Sequence, residues 1–148
     1  AMVDLALHAG SEPVGRQALA ERQEISADYV AQLFRHLVAA GLVEGVKGPG
    51  GGYRLARDPA RISAGDVLRA VEGPVAVVDC VLPGEAVPAG CNRTEQCVTH
   101  LLWKQVSDSI EEVLDAVTLA ELSQQNQLLA GQDVQQGHLV QAAVRPRA

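Results

Sequence analysis

Four residues whose side chains bind soft metals lie close together in the second half of the chain: Cys80, Cys91, Cys97 and His100. Ten, five and two residues separate them, in that order. Three thiolates and one imidazole suit a zinc ion or an iron–sulfur cluster. Cys97 and His100 are three residues apart at the start of a predicted helix, so both side chains can point the same way. The positive end of that helix also favours a thiolate at Cys97.

The spacing leaves three interpretations of these residues open. A structural zinc site usually contains pairs of ligands two to four residues apart, whereas the first two gaps here are ten and five residues in a Pro- and Gly-rich loop. Such a wide arc favours a bulkier, more labile cofactor, namely an iron–sulfur cluster, over zinc. Unliganded buried cysteines are the third interpretation. Because the number of cysteines is odd, a disulfide framework is a poor fit.

Two short helices and a hairpin precede this loop. Residues 15–23 predict the first helix, and Ser26 is a good N-cap for the second, which Gly41 ends. The second helix has apolar residues at amphipathic spacing: Val30, Leu33, Phe34, Leu37 and Val38. Alternating residues on both sides of the segment 48–52 predict a β-hairpin. A helix-turn-helix followed by a basic hairpin with a glycine-rich tip indicates a winged helix.

The polar side of the second helix and the hairpin predict a DNA-binding surface. Gln can read adenine and Arg can read guanine in a major groove, and a tip without side chains can lie close to a phosphate backbone. The residues expected at DNA are Ser26, Tyr29, Gln32, Arg35, His36, Lys47, Gly50, Gly51 and Arg54. An ordinary polar helix face and a plain surface turn are the alternatives. The glycines do not match a nucleotide-binding motif.

The remaining pattern predicts a chain that is mainly α with one small β-hairpin. A capping box at Ser63 starts a helix that Gly73 ends, and another at Thr118 starts a last short helix. Between them, a long helix is predicted over residues 98–117. Its apolar face contains Leu102, Val106, Ile110, Val113, Leu114 and Val117, and acidic residues including Asp115 are expected to keep the other faces in water. The apolar face is longer than a small head needs for its own core, which predicts dimerisation through it.

These elements divide the chain into four regions. We expect a winged helix-turn-helix domain in residues 1–73, a metal-binding loop in 74–97, dimerisation helices in 98–130 and a disordered tail in 131–148. The chain is apolar from its first residues, which predicts a first helix whose beginning is missing.

Charge and composition narrow the function classes. The net charge of −6 argues against binding nucleic acid by charge alone. However, residues 35–69 hold six basic against three acidic residues, and residues 73–148 hold four against nine. A positive middle and a negative C-terminal half suit a DNA-binding head on an acidic body, with random scatter as the alternative. Because there is no membrane-spanning run and no secretory signal, we expect a cytoplasmic protein. The four histidines are scattered, so no catalytic set indicates an enzyme.

Three motifs carry a family resemblance: Gly48-Pro49-Gly50-Gly51-Gly52-Tyr53, Cys97-Val98-Thr99-His100 and Leu101-Leu102-Trp103. They resemble the IscR-type iron–sulfur regulators of the Rrf family of bacterial winged-helix repressors, which also includes the nitric-oxide-sensing NsrR regulators. The resemblance covers about residues 1–125. It implies a homodimer on a pseudo-palindromic double-stranded DNA operator, with a dimer arm over residues 103–117.

The resemblance also implies the cofactor and its role. One [2Fe–2S] cluster per subunit would be bound by Cys80, Cys91, Cys97 and His100. Its occupancy would control operator binding at promoters that include genes for cluster assembly. The alternative function is a winged-helix repressor that senses nitric oxide or redox state through its cysteines or a different cluster.

Three departures from the family pattern affect these expectations. The gap between Cys80 and Cys91 is longer than in the IscR pattern, which leaves the sensed signal open because longer gaps occur in sister branches. Ala31 stands where the IscR type has a Glu on the recognition helix, so discrimination between operators is expected to differ. The family's first dozen residues, which hold basic residues near DNA and, in some relatives, an acidic cluster ligand, are absent. The chain is therefore expected to be a fragment or to start at a misassigned position.

Overall fold

The computed structural model describes residues 1–8, 12–83 and 96–132. In this part of the chain the secondary structure is mostly helical with one antiparallel hairpin, as predicted. The elements are the helices α1 (Met2–Leu7), α2 (Arg16–Gln23), α3 (Ala27–Ala39), α4 (Ala64–Glu72), α5 (Val98–Asp115) and α6 (Leu119–Gln132), the strands β1 (Val43–Val46) and β2 (Gly52–Leu55), and 3₁₀ turns at Pro59–Arg61 and Asp79–Val81. Cys91 and residues 133–148 of the predicted tail lie outside the described residues. The prediction is wrong for residues 131 and 132, which belong to α6.

The helix α3 forms for the reasons that its sequence suggests. The Ser26 hydroxyl accepts a hydrogen bond from the Tyr29 amide at 3.1 Å, and Gly41 follows the helix with a φ of +67°. Val30 and Phe34 are fully buried. The amphipathic spacing predicts Val38 on the same buried side, and this prediction is wrong, since 42% of this residue is exposed. At 100° per residue, Val38 lies about 80° around the helix from Val30, which places it at the edge of the apolar stripe.

The hairpin is joined by a short third segment to the rest of the winged helix-turn-helix domain, residues 1–73, which we call the head. β1 and β2 pair with Gly45 opposite Tyr53. Val14, just before α2, exchanges two backbone hydrogen bonds with Tyr53, both 2.9 Å long. The Tyr53 ring also lies against Phe34 of α3, with ring centroids 4.4 Å apart. The hairpin is therefore held in place relative to both α2 and α3.

The chain after α5 returns to this head. Thr118 and Glu121 form the predicted capping box, but the helix that follows has fourteen residues and is not short. Leu119 is 2% exposed and belongs to the same core as Phe34. The Leu119 amide donates to the Ile62 carbonyl at 2.9 Å. The start of α6 thus packs in the winged-helix core, whereas the sequence placed it with the dimerisation helices.

The helix α5 packs against α4 and the 3₁₀ turn at Asp79–Val81 and leaves much of its apolar surface exposed. Leu102 and Val113 are 53% and 67% exposed. The helix ends at Asp115, so the prediction that Val117 continues its apolar face is wrong. The Val117 carbonyl instead accepts a hydrogen bond from the Ala64 amide at 2.8 Å. Among the described residues, no helix is both long and apolar enough to cross a membrane.

Candidate nucleic-acid interface and metal centre

The outer face of α3 presents four of the predicted DNA-contacting side chains together. Tyr29, Gln32, Arg35 and His36 are all exposed. Ser26 is exposed as well, but its hydroxyl is already used as the N-cap of α3. This face therefore offers hydrogen-bonding groups suited to the edges of bases, while the buried face fixes the helix in the head.

The hairpin offers fewer free charges than its sequence suggests. Lys47 is exposed. Arg54 pairs with Glu44, its direct partner in the strand register, through hydrogen bonds of 2.8 and 3.0 Å to one carboxylate oxygen. Both side chains are about half exposed, so this pair is weak. A phosphate contact by Arg54 would compete with Glu44, whereas Lys47 has no such partner among the ion pairs of the described chain.

The glycines at the tip of the hairpin have different structural roles. Gly48 and Gly50 have φ angles of +99° and +75° with open space around them, so the turn itself requires glycine. A Cβ on Gly51 would collide with the Val46 carbonyl oxygen, and one on Gly52 with the Val14 carbonyl. The sequence interpretation placed Gly50 and Gly51 at DNA for lack of side chains. The structure adds an intramolecular reason for the glycine at 51.

Two of the predicted metal ligands line one cavity. Cys80 lies in the 3₁₀ turn after α4, His100 lies in the first turn of α5, and the cavity between them is about 380 Å³. The His100 Nδ1 atom is buried and has no hydrogen-bond partner within the described structure. An unpartnered buried imidazole nitrogen is costly in a folded protein. It is the kind of atom that a metal would use.

Cys97 occupies the N-cap position of α5, one turn before His100. Its Sγ atom lies 3.0 Å from the Thr99 hydroxyl. That hydrogen bond, together with the His100 amide, lowers the pKa of the Cys97 thiol below its ordinary value. The N-terminus of the helix therefore favours the thiolate, which is the form that binds metals.

The predicted ligands do not form a complete metal site in the described part of the chain. Cys80 and Cys97 are both free thiols, and Cys91 is outside the described residues. Within residues 1–8, 12–83 and 96–132, no three His, Cys, Asp or Glu side chains come together as a metal site. The cavity with Cys80 and His100, and the thiolate-favouring position of Cys97, nevertheless fit a group with soft ligands.

Sequence reasoning missed the polar side chains that surround this cavity. Lys104 and Asp108 line it and pair with each other at 2.7 Å. Ser107, also in the lining, is buried and accepts a hydrogen bond from the Val77 amide at 3.1 Å. Lys104, Ser107 and Asp108 lie four, seven and eight residues after His100, respectively, on the same face of α5. That helical spacing was the available signal.

Comparison with known proteins gives the family. The model of the Rrf2 family, described as "Iron-dependent Transcriptional regulator", matches residues 1–125. The HTH-type transcriptional regulator IscR of Vibrio cholerae is 43% identical over 139 residues, which cover 94% of this chain and 78% of the relative. These matches confirm the resemblance that the sequence motifs carried, and because the relatives are named as regulators, they also confirm that the chain is not an enzyme.

Solved structures agree with this assignment. The IscR structure from T. potens is 39% identical with a TM-score of 0.65, covering 93% of this chain and 84% of that one. CymR, described as the global cysteine regulator of B. subtilis, is 33% identical with a TM-score of 0.66, covering 84% and 88%. The exposed face of α3 and the hairpin of β1 and β2, which is the wing of the winged helix, are the surfaces with which such a fold would contact DNA. The chain therefore belongs to the Rrf2 family of DNA-binding transcriptional regulators.

Proposed function

We propose that this regulator is a homodimer whose operator binding is controlled by a [2Fe–2S] cluster bound by Cys80, Cys91, Cys97 and His100. One observation carries the proposal: His100 keeps a buried, unpartnered Nδ1 atom and lines the same cavity as the Cys80 thiol. A fixed hydrogen-bond partner would be expected there if His100 were only a structural residue.

The residues around the cavity have separate roles in this proposal. Cys97 supplies a thiolate from the N-terminus of α5, and the Thr99 hydroxyl stabilises it before a metal binds. Ser107 holds the segment that leads to Cys80 against α5 through the Val77 amide. A bound cluster would supply one-electron redox chemistry and a bond network that can be lost. In this proposal, the protein binds the cluster between the segment that follows the head and the start of α5.

The DNA contacts follow from the winged helix. α3 would enter the major groove with Gln32, Arg35 and His36 towards base edges, and Lys47 would neutralise phosphate. The wing turn at Gly50 would lie near the backbone. Target promoters would include cluster-assembly genes, as the resemblance to the IscR type implies.

Dimerisation would use the apolar face of α5, where a shallow surface is lined by Leu102, Gln105, Val106, Ser109, Ile110, Val113 and Leu114. Most of this surface is apolar and open to solvent in the single chain. A two-fold pair of such helices presents two recognition helices to two half-sites, which gives a pseudo-palindromic operator.

The experiment is the visible absorption spectrum of the anaerobically purified protein, with its iron and sulfide content. We expect a cluster spectrum in the wild type, loss of the spectrum in Cys91→Ala, and retention with a lower reduction potential in His100→Cys, since a thiolate replaces a neutral imidazole. His36→Ala is the matched control and should keep the full spectrum. A Cys91→Ala protein with an undiminished cluster spectrum would show that the ligand set is wrong.

A thiol switch without a cluster is the second candidate, and it is favoured by the free Cys97 thiol at the N-terminus of α5, 3.0 Å from the Thr99 hydroxyl. In that case, metal-free protein would still change its DNA affinity on treatment with an oxidant or with nitric oxide, and Cys97→Ser would abolish the response. If the metal-free protein does not respond while the cluster-loaded protein does, the thiol switch is excluded.

A further inference from the structure

The last residue of α5 is bound to α4 and its N-cap by a cluster of polar groups. The Asp115 carboxylate accepts hydrogen bonds from the Arg69 guanidinium at 2.6 and 3.2 Å and from the Ser63 hydroxyl at 3.3 Å. Arg69 also pairs with Asp66 at 3.4 Å. We call Asp115, Arg69 and Ser63 the Asp115 cluster. The sequence analysis expected Asp115 only to keep α5 in water.

Gly65 shows that the first turn of α4 is shaped to admit this carboxylate. Gly65 is buried, and a Cβ added to it would collide with the Asp115 Oδ1 atom. The carboxylate thus lies against the N-terminal turn of α4, where the helix dipole favours a negative charge. α4 packs in turn beside α3, the helix with the predicted base-reading side chains. The Asp115 cluster therefore connects α5 to the DNA-binding head.

The backbone alone attaches α5 to the head only beyond its end. The carbonyl of Val117 and the amide of Leu119 bond to Ala64 and Ile62, and the helix has already ended at Asp115. Within α5, the Ser107 hydroxyl accepts a hydrogen bond from the Val77 amide, which lies beyond α4. The Asp115 cluster adds a side-chain contact with α4 on the last residue of the helix, and this contact restricts the direction of α5 at that end.

We infer that Asp115 is a positioning residue that sets the angle between the dimerisation helix and the winged head, and thereby the half-site spacing that the dimer accepts. The inference rests on the proposed dimer. With α5 at the two-fold axis, a change in this angle moves the two α3 helices relative to each other. Loss of the Asp115 cluster should broaden the range of accepted spacings without weakening the contacts within one half-site.

The test uses all 148 residues of the chain and a set of DNA duplexes. The half-site is first selected from a random-sequence pool with the wild type. It is then placed in palindromes whose centre is shortened or lengthened by single base pairs. Discrimination is the ratio of affinities for the best spacing and for its neighbours.

Two variants remove the Asp115 cluster in different ways. Asp115→Ala deletes the carboxylate, and Gly65→Ala displaces it while both charges remain. Glu112→Ala, an exposed acidic residue on the same helix, is the matched control. Because a dimer contains two weak ion pairs, we expect discrimination to fall about three- to thirtyfold in both variants and to stay within about twofold of wild type in the control.

Stability separates this role from a merely structural one. Alanine has a higher helix propensity than glycine, so Gly65→Ala should melt no lower than about the wild type while it loses discrimination. Unchanged discrimination in both folded variants overturns the inference. A wild type that sediments as a monomer and has no spacing preference overturns the proposed dimer instead, which is a different result.

Discussion

Replacing Gly52 with alanine is expected to detach the wing from the start of α2. A methyl group at this position would collide with the carbonyl of Val14 and lie 2.8 Å from the Gly15 nitrogen. These are backbone atoms that cannot rotate away. To relieve the collision, the segment at Val14 must separate from β2, which breaks its two hydrogen bonds with Tyr53.

The size of the effect follows from these contacts. Two backbone hydrogen bonds contribute together about 1–3 kcal/mol, and forcing a methyl group into a packed space costs about 1–3 kcal/mol more. We therefore expect the free energy of unfolding to fall by about 2–6 kcal/mol, a large share of the roughly 5–15 kcal/mol typical of a domain. The control is Gly45→Ala on β1. No described atom lies within 4 Å of its added Cβ, so the change should be neutral or stabilising by up to about 1 kcal/mol.

Urea unfolding followed by circular dichroism measures both variants, and amide exchange at Val14 and Tyr53 locates the change. Since the Tyr53 ring packs against Phe34 of α3, Gly52→Ala should also weaken DNA binding through the altered position of the wing, whereas Gly45→Ala should not. Equal unfolding free energies for the two variants would refute the argument that the glycine at 52 is required inside the protein.

Three further predictions concern DNA, dimerisation and pH. Arg35→Ala should relax sequence preference and cost about 1–3 kcal/mol of binding free energy at the matched site, while Lys47→Ala should weaken binding to all sequences alike and reduce the slope of log affinity against log salt by about one. Binding titrations at several salt concentrations measure both effects, and unchanged affinities would contradict the contact assignment. Val106→Asp combined with Ile110→Asp would bury charge at the apolar face of α5 and should give monomers in sedimentation; a persistent dimer would place the interface elsewhere. The pKa of Glu121 is lowered, chiefly by its hydrogen bond from the Thr118 amide. The contribution of Glu121 to stability is therefore present above the ordinary pKa of a glutamate and is lost as pH falls through the lowered pKa. Glu121→Gln should make the free energy of unfolding less dependent on pH in that acidic range, and an unchanged pH dependence would refute this.

Local signals in the sequence predicted most of the elements. The N-cap at Ser26 and the capping boxes at Ser63 and Thr118 are contacts between residues three apart, so the sequence contains both partners at a fixed spacing. The hairpin was predicted from alternating residues on both sides of the glycine-rich segment 48–52. Once the hairpin register is known, the pairing of Glu44 with Arg54 follows as well, because the two face each other on neighbouring strands.

The remaining features depend on residues distant in the chain. Arg69 and Asp115 are 46 residues apart, and Val14 pairs with Tyr53, which is also distant in the chain. Neither pair has a local pattern. The same holds for the cavity shared by Cys80 and His100, since a spacing identifies candidate ligands and only packing places two of them together.

Under the proposed function, the helix α5 would have three roles at three places, and this arrangement would carry a signal to DNA. Its first turn carries His100, its middle carries the apolar face around Val106, and its last residue, Asp115, is bonded to the head. A helix of this length is about 27 Å long and transmits a tilt with little bending. An iron–sulfur cluster that fixes the segment around Cys80 to the first turn of α5 would therefore change the angle between α5 and the head at Asp115. A coupling of about 1.4–3 kcal/mol, roughly 10- to 150-fold in affinity, suffices for regulation, and the Asp115 cluster is the described contact at the end of α5 through which it would pass.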